Sequence, residues 1–476
     1  MPAGGGPRDK RSYTSRGKRS SHALTSLLRI AMVAVVVAAC ARRDLALPRL
    51  TIGLDDLAHA YRTVPQRLPW LGYVAYFSFA WMCTVFQLVP GHSFGNVGSV
   101  PNFNRVPHFA CFAAMVFTLV PCDHYVDDIV NLDVAAGRMT AQLGLRTVLR
   151  AMGWDIEKTK RKQNAASNVV LGVLVSLASL AVTMRAWAYP VQSKVAAALD
   201  LLRSYRDADR LTPGEAASLH GKFGWLMVAT HLHVGRAALQ PITQRQNHDR
   251  PPYKWTPELS RSLDFLEAVL APGVLPGMHV DFGTAGEPPI IGYTDAAYHL
   301  VVPGGGAPAY PEVTLGFYVC VGGRTVASKA TLPLSHYRFF SENLKTYITQ
   351  GELYAAIAMY FTLPWLFQGR RVIHFVDNTG ALSALVHGYA RKPDMARMVN
   401  VFHAQMVGLQ CEWYGEWVPS KANPADIPTR PERLHELPAD VEWVEMALPS
   451  VEEIEGDLPG WIARAREARP PAWWVA

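Results

Sequence analysis

The second half of the chain carries the clearest pattern of apolar and polar positions. Short runs rich in Val, Ile, Tyr and Phe predict strands, namely IIGYTDA, TLGFYVCVGG, RTVASKATL, RRVIHFVDN and CEWYGEWV. Two longer runs show helical periodicity, TYITQGELYAAIAMYFTLPWLF and DMARMVNVFHAQMVGL. Three strands, a helix, a strand, helices and a final strand predict a mixed α/β domain.

The first half mixes short apolar strands with helical runs. A helix is predicted to begin at Thr212, because Pro213 suits the first helical position and Glu215 completes a capping box. The stretch GTAGEPP predicts a linker, and the chain is rich in proline and acidic residues near its end. These changes predict five segments. They are a basic leader with a short apolar run (1–45), a second segment (46–200), a third segment (201–285), a mixed-sheet domain (286–435) and a tail (436–476).

The apolar run near the N-terminus allows two interpretations. Ile30–Ala41 reads IAMVAVVVAACA and is flanked by Arg29 and Arg42. It is shorter than the roughly 20 residues that span a bilayer. The order of basic, apolar and small residues over 24–41 still resembles a secretory signal or an anchor. A buried core segment is the alternative.

Charge and cysteine content narrow the class of protein only slightly. The net charge of +7 suits a polyanionic partner without requiring one. The six cysteines form no CxxC pair and no zinc pattern with histidine. We therefore expect a reducing compartment and no structural metal cluster.

Two adjacent aspartates, Asp127 and Asp128, lie in the stretch CDHYVDDIVNLD. Strand-like residues flank them, so we expect the pair to form a two-residue hairpin turn, where Asp tolerates left-handed backbone angles. Taken alone, this pattern is typical of a surface turn. Asp56, upstream in a second apolar strand, changes the interpretation. Two-ion phosphoryl transfer needs carboxylates from separate strands, and Mg²⁺ prefers oxygen ligands.

In order and spacing these stretches resemble the palm motifs of reverse transcriptases, first those of DIRS-like retroelements and then gypsy-like elements. YVDD resembles the YxDD hairpin of that family, and DLAHAY resembles its first catalytic strand. The resemblance implies that Asp56, Asp127 and Asp128 bind two Mg²⁺ and that Tyr61 excludes a 2′-OH. It also implies nucleotide or template contacts for Tyr61, Phe94, Gly95, Ser99, Tyr125, Lys160 and Lys162.

Four further acids occupy four elements of the C-terminal half: Asp295, Glu352, Asp377 and Asp426. Such a set on one mixed α/β domain suits a two-ion hydrolase. An aspartate at the end of a strand can also cap the following helix, as Asp377 could do before TGALSAL. FVDNTGALSALVHGY and WVPSKANPADIPTR resemble the ribonuclease H domain that follows reverse transcriptases. The resemblance implies that all four acids hold two Mg²⁺, with Mn²⁺ as the alternative ion.

These resemblances predict an α/β (α+β) protein with a reverse-transcriptase palm (46–200) and thumb or connection (201–285), followed by a ribonuclease H-like mixed-sheet domain (286–435). The implied activities are RNA-directed DNA polymerase and ribonuclease H. The implied partners are an RNA template, a DNA primer, an RNA/DNA hybrid and deoxynucleoside triphosphates, in the cytoplasm or nucleus and away from a membrane.

Two alternatives remain open from the sequence. Fewer residues precede Asp56 than the fingers of this family usually occupy, so we expect truncated or replaced fingers. A decayed retroelement protein that keeps only nucleic-acid binding or hybrid cleavage is the first alternative. A membrane-anchored protein of unrelated function, built on residues 24–41, is the second.

Overall fold

The computed structural model describes residues 30–471 with internal gaps. The gaps are residues 66, 69, 71, 93–98, 228–229, 231–233, 248–250, 273, 275–276, 283–286, 303–308, 341–345 and 457. Packing divides the chain into two compact units. The N-terminal unit ends at Val191 and takes in a short segment from His279, and the C-terminal unit holds the remainder. Both units combine helices with sheet, which confirms the predicted mixed α/β class.

The elements of the N-terminal unit are short. Its strands are β1 (Leu50–Asp56), β2 (Tyr73–Ser78), β3 (Cys83–Leu88), β4 (Cys122–Tyr125), β5 (Asp128–Val134), β6 (Lys162–Ala165), β7 (Ser167–Val170), β8 (Val173–Ser176), β9 (Arg185–Pro190) and β10 (Met278–Asp281). Its α-helices are α1 (Ile30–Ala41), α2 (Ser99–Thr118), α3 (Thr140–Ala151) and α4 (Leu180–Thr183). Turns of 3₁₀ helix occur at Ala60–Thr63 and Ala135–Gly137.

One antiparallel sheet of this unit, in the order β4-β5-β1-β6, brings distant parts of the chain together. Helices α2 and α3 pack against it through a core in which Phe103, Ile129 and Leu145 have no exposed surface. A second sheet has the order β10-β9-β8-β7, and β2 and β3 form a separate hairpin. The first sheet is the one that carries the predicted palm aspartates.

The apolar run near the N-terminus forms helix α1. Val33 and Val37, one helical turn apart, are both buried, while Val35 on another face is exposed. This burial matches the core-segment interpretation of the run. Among the helices of the described residues, none is long and apolar enough to cross a membrane.

The C-terminal unit has longer strands and helices. Its strands are β11 (Ile290–Val301), β12 (Tyr310–Val321), β13 (Arg324–Thr331), β14 (Arg371–Val376), β15 (Glu412–Trp417) and β16 (Glu442–Trp443). Its α-helices are α5 (Gln192–Asp207), α6 (Pro213–Leu226), α7 (Gln240–Asn247), α8 (Pro257–Leu270), α9 (Ile348–Thr362), α10 (Pro364–Phe367), α11 (Thr379–His387), α12 (Pro393–Leu409), α13 (Asp426–Thr429), α14 (Val451–Glu455) and α15 (Leu458–Glu467). Turns of 3₁₀ helix lie at Ala237–Leu239, Leu334–Arg338, Ser420–Ala422 and Pro431–Glu436.

The sheet of the C-terminal unit has the order β15-β14-β11-β12-β13-β16. Strands β11, β12 and β13 are antiparallel neighbours, whereas β14 and β15 run parallel to β11. Helix α9 packs on β11 and β12, and α12 packs on α9. The five strands and two helices that the apolar pattern predicts here are all present.

Segments on either side of the predicted nuclease domain share its core. Helices α5 to α8 contribute buried residues such as Phe223 and Leu263, and the predicted tail contributes Trp461 and Ile462. The predicted capping box at Thr212 is confirmed, because its side chain and that of Glu215 each accept the other's backbone N–H. The contacts define two units, so the division into five segments stays a prediction.

Candidate active sites

Three carboxylates converge at the centre of the C-terminal sheet. Asp295 follows Thr294 on β11, and Asp377 follows Val376 at the end of β14. Thr294 and Val376 are parallel partners, so the two aspartates occupy corresponding positions on neighbouring strands. Glu352 reaches the same point from α9. One carboxylate oxygen from each acid lies within 4.8 Å of the others.

Burial makes this cluster electrostatically costly when it holds only like charges. Loss of water raises the pKa of Asp295 to about 6, with smaller contributions from the charges of Asp377 and Asp426. Burial, then Asp295 and Asp377, raise the pKa of Glu352 well above its ordinary value. A cation that draws on all three oxygens would relieve this repulsion.

The hydrogen bonds of Glu352 support a metal-ligand role. Its Oε1 accepts a hydrogen bond from the backbone N–H of Ala296 at 3.3 Å. Its Oε2 is buried and has no hydrogen-bond partner among the described residues. A buried carboxylate oxygen without a donor is costly in a folded protein. An oxygen-only donor set with one such oxygen fits Mg²⁺ or Mn²⁺.

The fourth predicted acid, Asp426, is not part of this mutual contact. It begins α13, where Oδ1 accepts from Nε of Arg430 at 2.6 Å and Oδ2 accepts from Nη1 of Arg433. Its charge nonetheless contributes to the raised pKa of Asp295, so it lies nearby. The structure therefore groups three of the four predicted acids and places the fourth beside them in ion pairs.

The N-terminus of the helix that follows β14 shows whether Asp377 serves as its cap. The N-cap of α11 is Asn378, whose Oδ1 accepts from the N–H groups of Gly380 and Ala381, each at 3.0 Å. The helix cap that Asp377 could have provided is therefore supplied by its neighbour Asn378. The Asp377 carboxylate remains available to the cluster.

Several residues that support the cluster are not evident from the acid pattern alone. Thr429 donates from Oγ1 to Oδ2 of Asp295 at 2.7 Å. His374 is hydrogen-bonded to Thr294, the residue before Asp295. The indole of Trp413 donates to Nδ1 of His374 at 3.2 Å, so Nε2 of His374 carries the proton and donates to Oγ1 of Thr294 at 2.9 Å. The position of Thr429, three residues after Asp426 on one helical turn, is the only sequence signal for this role.

The predicted palm aspartates lie at the end of β1, in the turn before β5 and at the start of β5. Asp56 and Asp128 are direct partners in the antiparallel register. Tyr125 pairs with Asp128, so the two-residue turn consists of Val126 and Asp127. The prediction that Asp127 and Asp128 form the turn is wrong by one residue. Val126 has a φ of 57° and takes the left-handed position expected for an aspartate.

Asp56 and Asp127 lie close enough to Asp128 for their charges to affect its ionisation. Burial, then the charges of Asp127 and Asp56, raise the pKa of Asp128 to about 6. Burial also raises the pKa of Asp56, although Nζ of Lys160 lies 3.1 Å from its Oδ2 and opposes that shift. Asp56, Asp127 and Lys160 share the lining of a pocket of about 220 Å³. Carboxylate oxygens from the end of β1 and from the turn before β5 at one pocket suit a divalent cation.

The remaining residues predicted to contact nucleotide or template have mixed positions. Nζ of Lys162 donates to the backbone oxygen of Val169. Ser99 is buried at the start of α2, and Tyr125 is partly exposed. The backbone of Tyr61 lies in a 3₁₀ turn, but its side chain falls outside the described part of the chain. Phe94 and Gly95 also fall outside it.

Asp55, next to Asp56, is a buried aspartate that is not among the predicted site residues. Asp55 pairs with Ile129, so it shares the helix-covered face of the sheet. Its Oδ1 lies 3.9 Å from Nε of Arg146 on α3 and 4.0 Å from Nε of Arg161. Arg161 directly follows Lys160, so this pairing helps to fix the segment that brings Lys160 to Asp56. The doubled aspartate in GLDDL was the available signal.

No protein-family model and no curated protein matches this chain. Among solved structures, it is similar to the foamy viral protease-reverse transcriptase. The dRH form of that enzyme, in complex with double-stranded DNA, is 12% identical, with a TM-score of 0.39, over 78% of this chain and 57% of that one. Its complex with an RNA/DNA hybrid is 8% identical, with a TM-score of 0.37, over 78% of this chain and 64% of that one.

The chain thus spans less than two thirds of the length of each of these two structures. The ribonuclease H1 of the halophilic archaeon Halobacterium salinarum is 18% identical, with a TM-score of 0.23, over 32% of this chain and 100% of that one. Similarities at this level carry no inference about activity or partners.

Proposed function

We propose that the chain is a retroelement RNA-directed DNA polymerase with ribonuclease H activity, and that the C-terminal unit cleaves the RNA strand of an RNA/DNA hybrid. The observation that carries the nuclease assignment is the convergence of Asp295, Glu352 and Asp377 within 4.8 Å. Two buried acids, Asp295 and Glu352, beside the half-buried Asp377 would be destabilising without a cation, and two-ion hydrolases use such sets.

The residues around the cluster would have different roles in metal binding. Asp295, Glu352 and Asp377 would hold the metal, Thr429 would orient Asp295, and Asp426 would complete the ligand set. Bound Mg²⁺, or Mn²⁺ in its place, would supply an activated water and a counter-charge for the leaving oxygen. Recognition of the 2′-OH would select the RNA strand.

The polymerase assignment has support of its own. Asp56 and Asp128 are paired across two strands, Asp127 shares a pocket with Asp56, and Lys160 supplies a positive charge beside them. These residues would bind two Mg²⁺ and the phosphates of a deoxynucleoside triphosphate, on an RNA template with a DNA primer. The stretches FVDNTGALSALVHGY and WVPSKANPADIPTR support a DIRS-like origin, with a cytoplasmic or nuclear location.

A hybrid-cleavage assay tests the nuclease assignment. The purified chain should cleave the labelled RNA of a hybrid only with Mg²⁺ or Mn²⁺, and Asp377→Asn should abolish cleavage. The control is Asp440→Asn, since Asp440 is exposed and belongs to neither carboxylate group. Equal cleavage by the wild type and Asp377→Asn would overturn the assignment.

Primer extension tests the polymerase separately. The wild type should extend a DNA primer on an RNA template, and Asp128→Asn should not, while both should cleave hybrid equally. Cleavage without any extension by the wild type would instead establish the decayed retroelement alternative.

A further inference from the structure

Asp426 is held by two arginines that come from its own short stretch of chain. Arg430 and Arg433 together engage both of its carboxylate oxygens. Arg433 also forms two bonds to Glu436, at 2.8 and 2.7 Å. Each oxygen of the Asp426 carboxylate therefore accepts a hydrogen bond from a cationic donor.

Arg430 also acts on the cluster of Asp295, Glu352 and Asp377. The positive charge of Arg430 lowers the pKa of Asp295, against the effects of burial and of the neighbouring acids. A guanidinium thus stands close enough to both Asp426 and Asp295 to compensate their charges. This is the compensation that a second divalent cation would provide in a two-ion hydrolase.

The two arginines are accessible although Asp426 is not. Their side chains are 48% and 31% exposed, whereas that of Asp426 is 10% exposed. Exposed guanidinium groups bind phosphate oxygens in a bidentate manner and exchange partners at little cost. A nucleic-acid backbone arriving at the cluster would meet both of them.

We propose that Arg430 and Arg433 form a phosphate-responsive latch on Asp426, which rests on the proposed nuclease function. Without nucleic acid, the arginines occupy Asp426 and only the ion bound by Asp295, Glu352 and Asp377 is held strongly. The phosphates of a bound hybrid draw the arginines away and free Asp426 as a ligand for a second ion. Binding of the second ion is thereby coupled to binding of substrate.

Mn²⁺ binding, followed by electron paramagnetic resonance of the free ion, tests the latch without any turnover. The full chain carries Asp56→Asn and Asp128→Asn throughout, so that the palm makes no contribution. The probe is a hybrid whose RNA strand is 2′-O-methylated and therefore is not cleaved. This hybrid should strengthen the second Mn²⁺ site about tenfold, equivalent to about 1.4 kcal/mol.

Three variants separate the outcomes. Arg430→Gln with Arg433→Gln should show the stronger second site without hybrid and no further gain with it, and Arg430→Gln alone should move in the same direction. Asp426→Asn should lack the second site under both conditions. Arg338→Gln is the matched control, because Arg338 pairs with Glu452 in an exposed ion pair of the same unit.

A second site of equal strength with and without hybrid in the wild type would overturn the latch. An unchanged second site in the arginine variants would also overturn it. If Asp377→Asn leaves the first Mn²⁺ site intact, the proposed nuclease function fails instead, so the two failures are distinguishable.

Discussion

Asp56 on β1 and Asp128 on β5 face each other as direct partners in an antiparallel register. The two residues are far apart in sequence and belong to strands that meet only in the folded protein. Like charges directly opposite one another on adjacent strands destabilise a sheet. Their pairing at one end of β1 therefore needs a positive charge nearby, and Nζ of Lys160, 3.1 Å from Oδ2 of Asp56, supplies one.

The first prediction concerns this repulsion. The pKa of Asp128 is raised to about 6, above that of the unfolded chain, so the folded state binds more protons between about pH 4 and pH 6. Stability should consequently fall as the pH rises through this window. Asp128→Asn removes the half-buried charge and should stabilise the metal-free chain at pH 7.5, with little effect at pH 4.

A shift of about two pKa units corresponds to about 3 kcal/mol, and solvent screening at this half-buried site reduces the expected gain to about 1 kcal/mol. Urea unfolding of the N-terminal unit, followed by fluorescence at both pH values, measures it. Asp44→Asn is the control, since Asp44 is exposed. A gain of the same size at pH 4 would contradict the electrostatic explanation.

The second prediction concerns the bond from Thr429 to Asp295. Thr429→Val removes the hydroxyl with little change of volume, so the pKa of Asp295 should rise further. Metal binding needs the deprotonated carboxylate, so the acidic limb of the hybrid-cleavage profile should move to higher pH. The rate near neutral pH should fall about tenfold, as for other residues that orient metal ligands.

Thr429→Ser should restore both the rate and the pH profile. Thr331→Val serves as the control, because Thr331 lies exposed on β13. A lower rate with an unchanged pH profile would show that Thr429 supports the fold and does not tune Asp295.

The third prediction concerns His374, which is completely buried. Burial lowers its pKa to about 3, so it is neutral in the folded protein but protonated below about pH 6.5 when unfolded. The unfolded state therefore binds the extra proton, and stability is lost as the pH falls from 6.5 toward 3. This histidine alone should account for about 3 kcal/mol of destabilisation between pH 7 and pH 4.

His374→Gln should be less stable than the wild type at pH 7, because the bonds to Thr294 and Trp413 are disturbed. It should also lose this part of the pH dependence. Guanidinium unfolding at pH 7 and pH 4 gives both quantities. His435→Gln, at an exposed position, should retain the dependence of the wild type.

The local pattern was sufficient to predict much of the C-terminal unit. The strands are long and apolar, and the helix of Glu352 is a long apolar run that is buried on nearly every side. Asp377 directly follows β14, and Asp295 lies within β11 just beyond its last partner on β14, so the two aspartates converge by geometry. The ion pairs of Asp426 and the burial of Asp55 were not predictable. They depend on which of several nearby cations each acid selects once the chain has folded, and spacing along the sequence does not carry that choice.

The turn at Asp127 and the segment after residue 436 show a second limit of prediction from sequence. A DD pair flanked by strand residues allows two registers that differ by one residue, and the pairing of Asp56 with Asp128 selects between them. Proline and acidic residues predicted a tail after 436, yet Trp461 and Ile462 are buried in the core. The composition of a segment indicates whether it suits solvent on average. A few apolar residues at the right positions are enough to bury it in the core.

The last prediction concerns the β2–β3 hairpin, which exposes an unusual apolar surface. Phe79, Trp81 and Met82 at its tip are 83%, 71% and 73% exposed. The sequence has no Asp, Glu, Lys or Arg from Leu68 to Asn104. Contiguous exposed apolar surface promotes association of purified proteins. Replacing the three tip residues by serine should therefore reduce aggregation measured by light scattering.

The same triple variant should change the free energy of unfolding by no more than about 0.5 kcal/mol, because exposed side chains contribute little to the core. Phe103→Ser is the contrasting variant. Phe103 has no exposed surface and lies in the core beneath the first sheet, so its loss should cost about 3–5 kcal/mol. If the serine variant unfolds as easily as Phe103→Ser, the hairpin tip is packed rather than exposed, and the surface described for it is wrong.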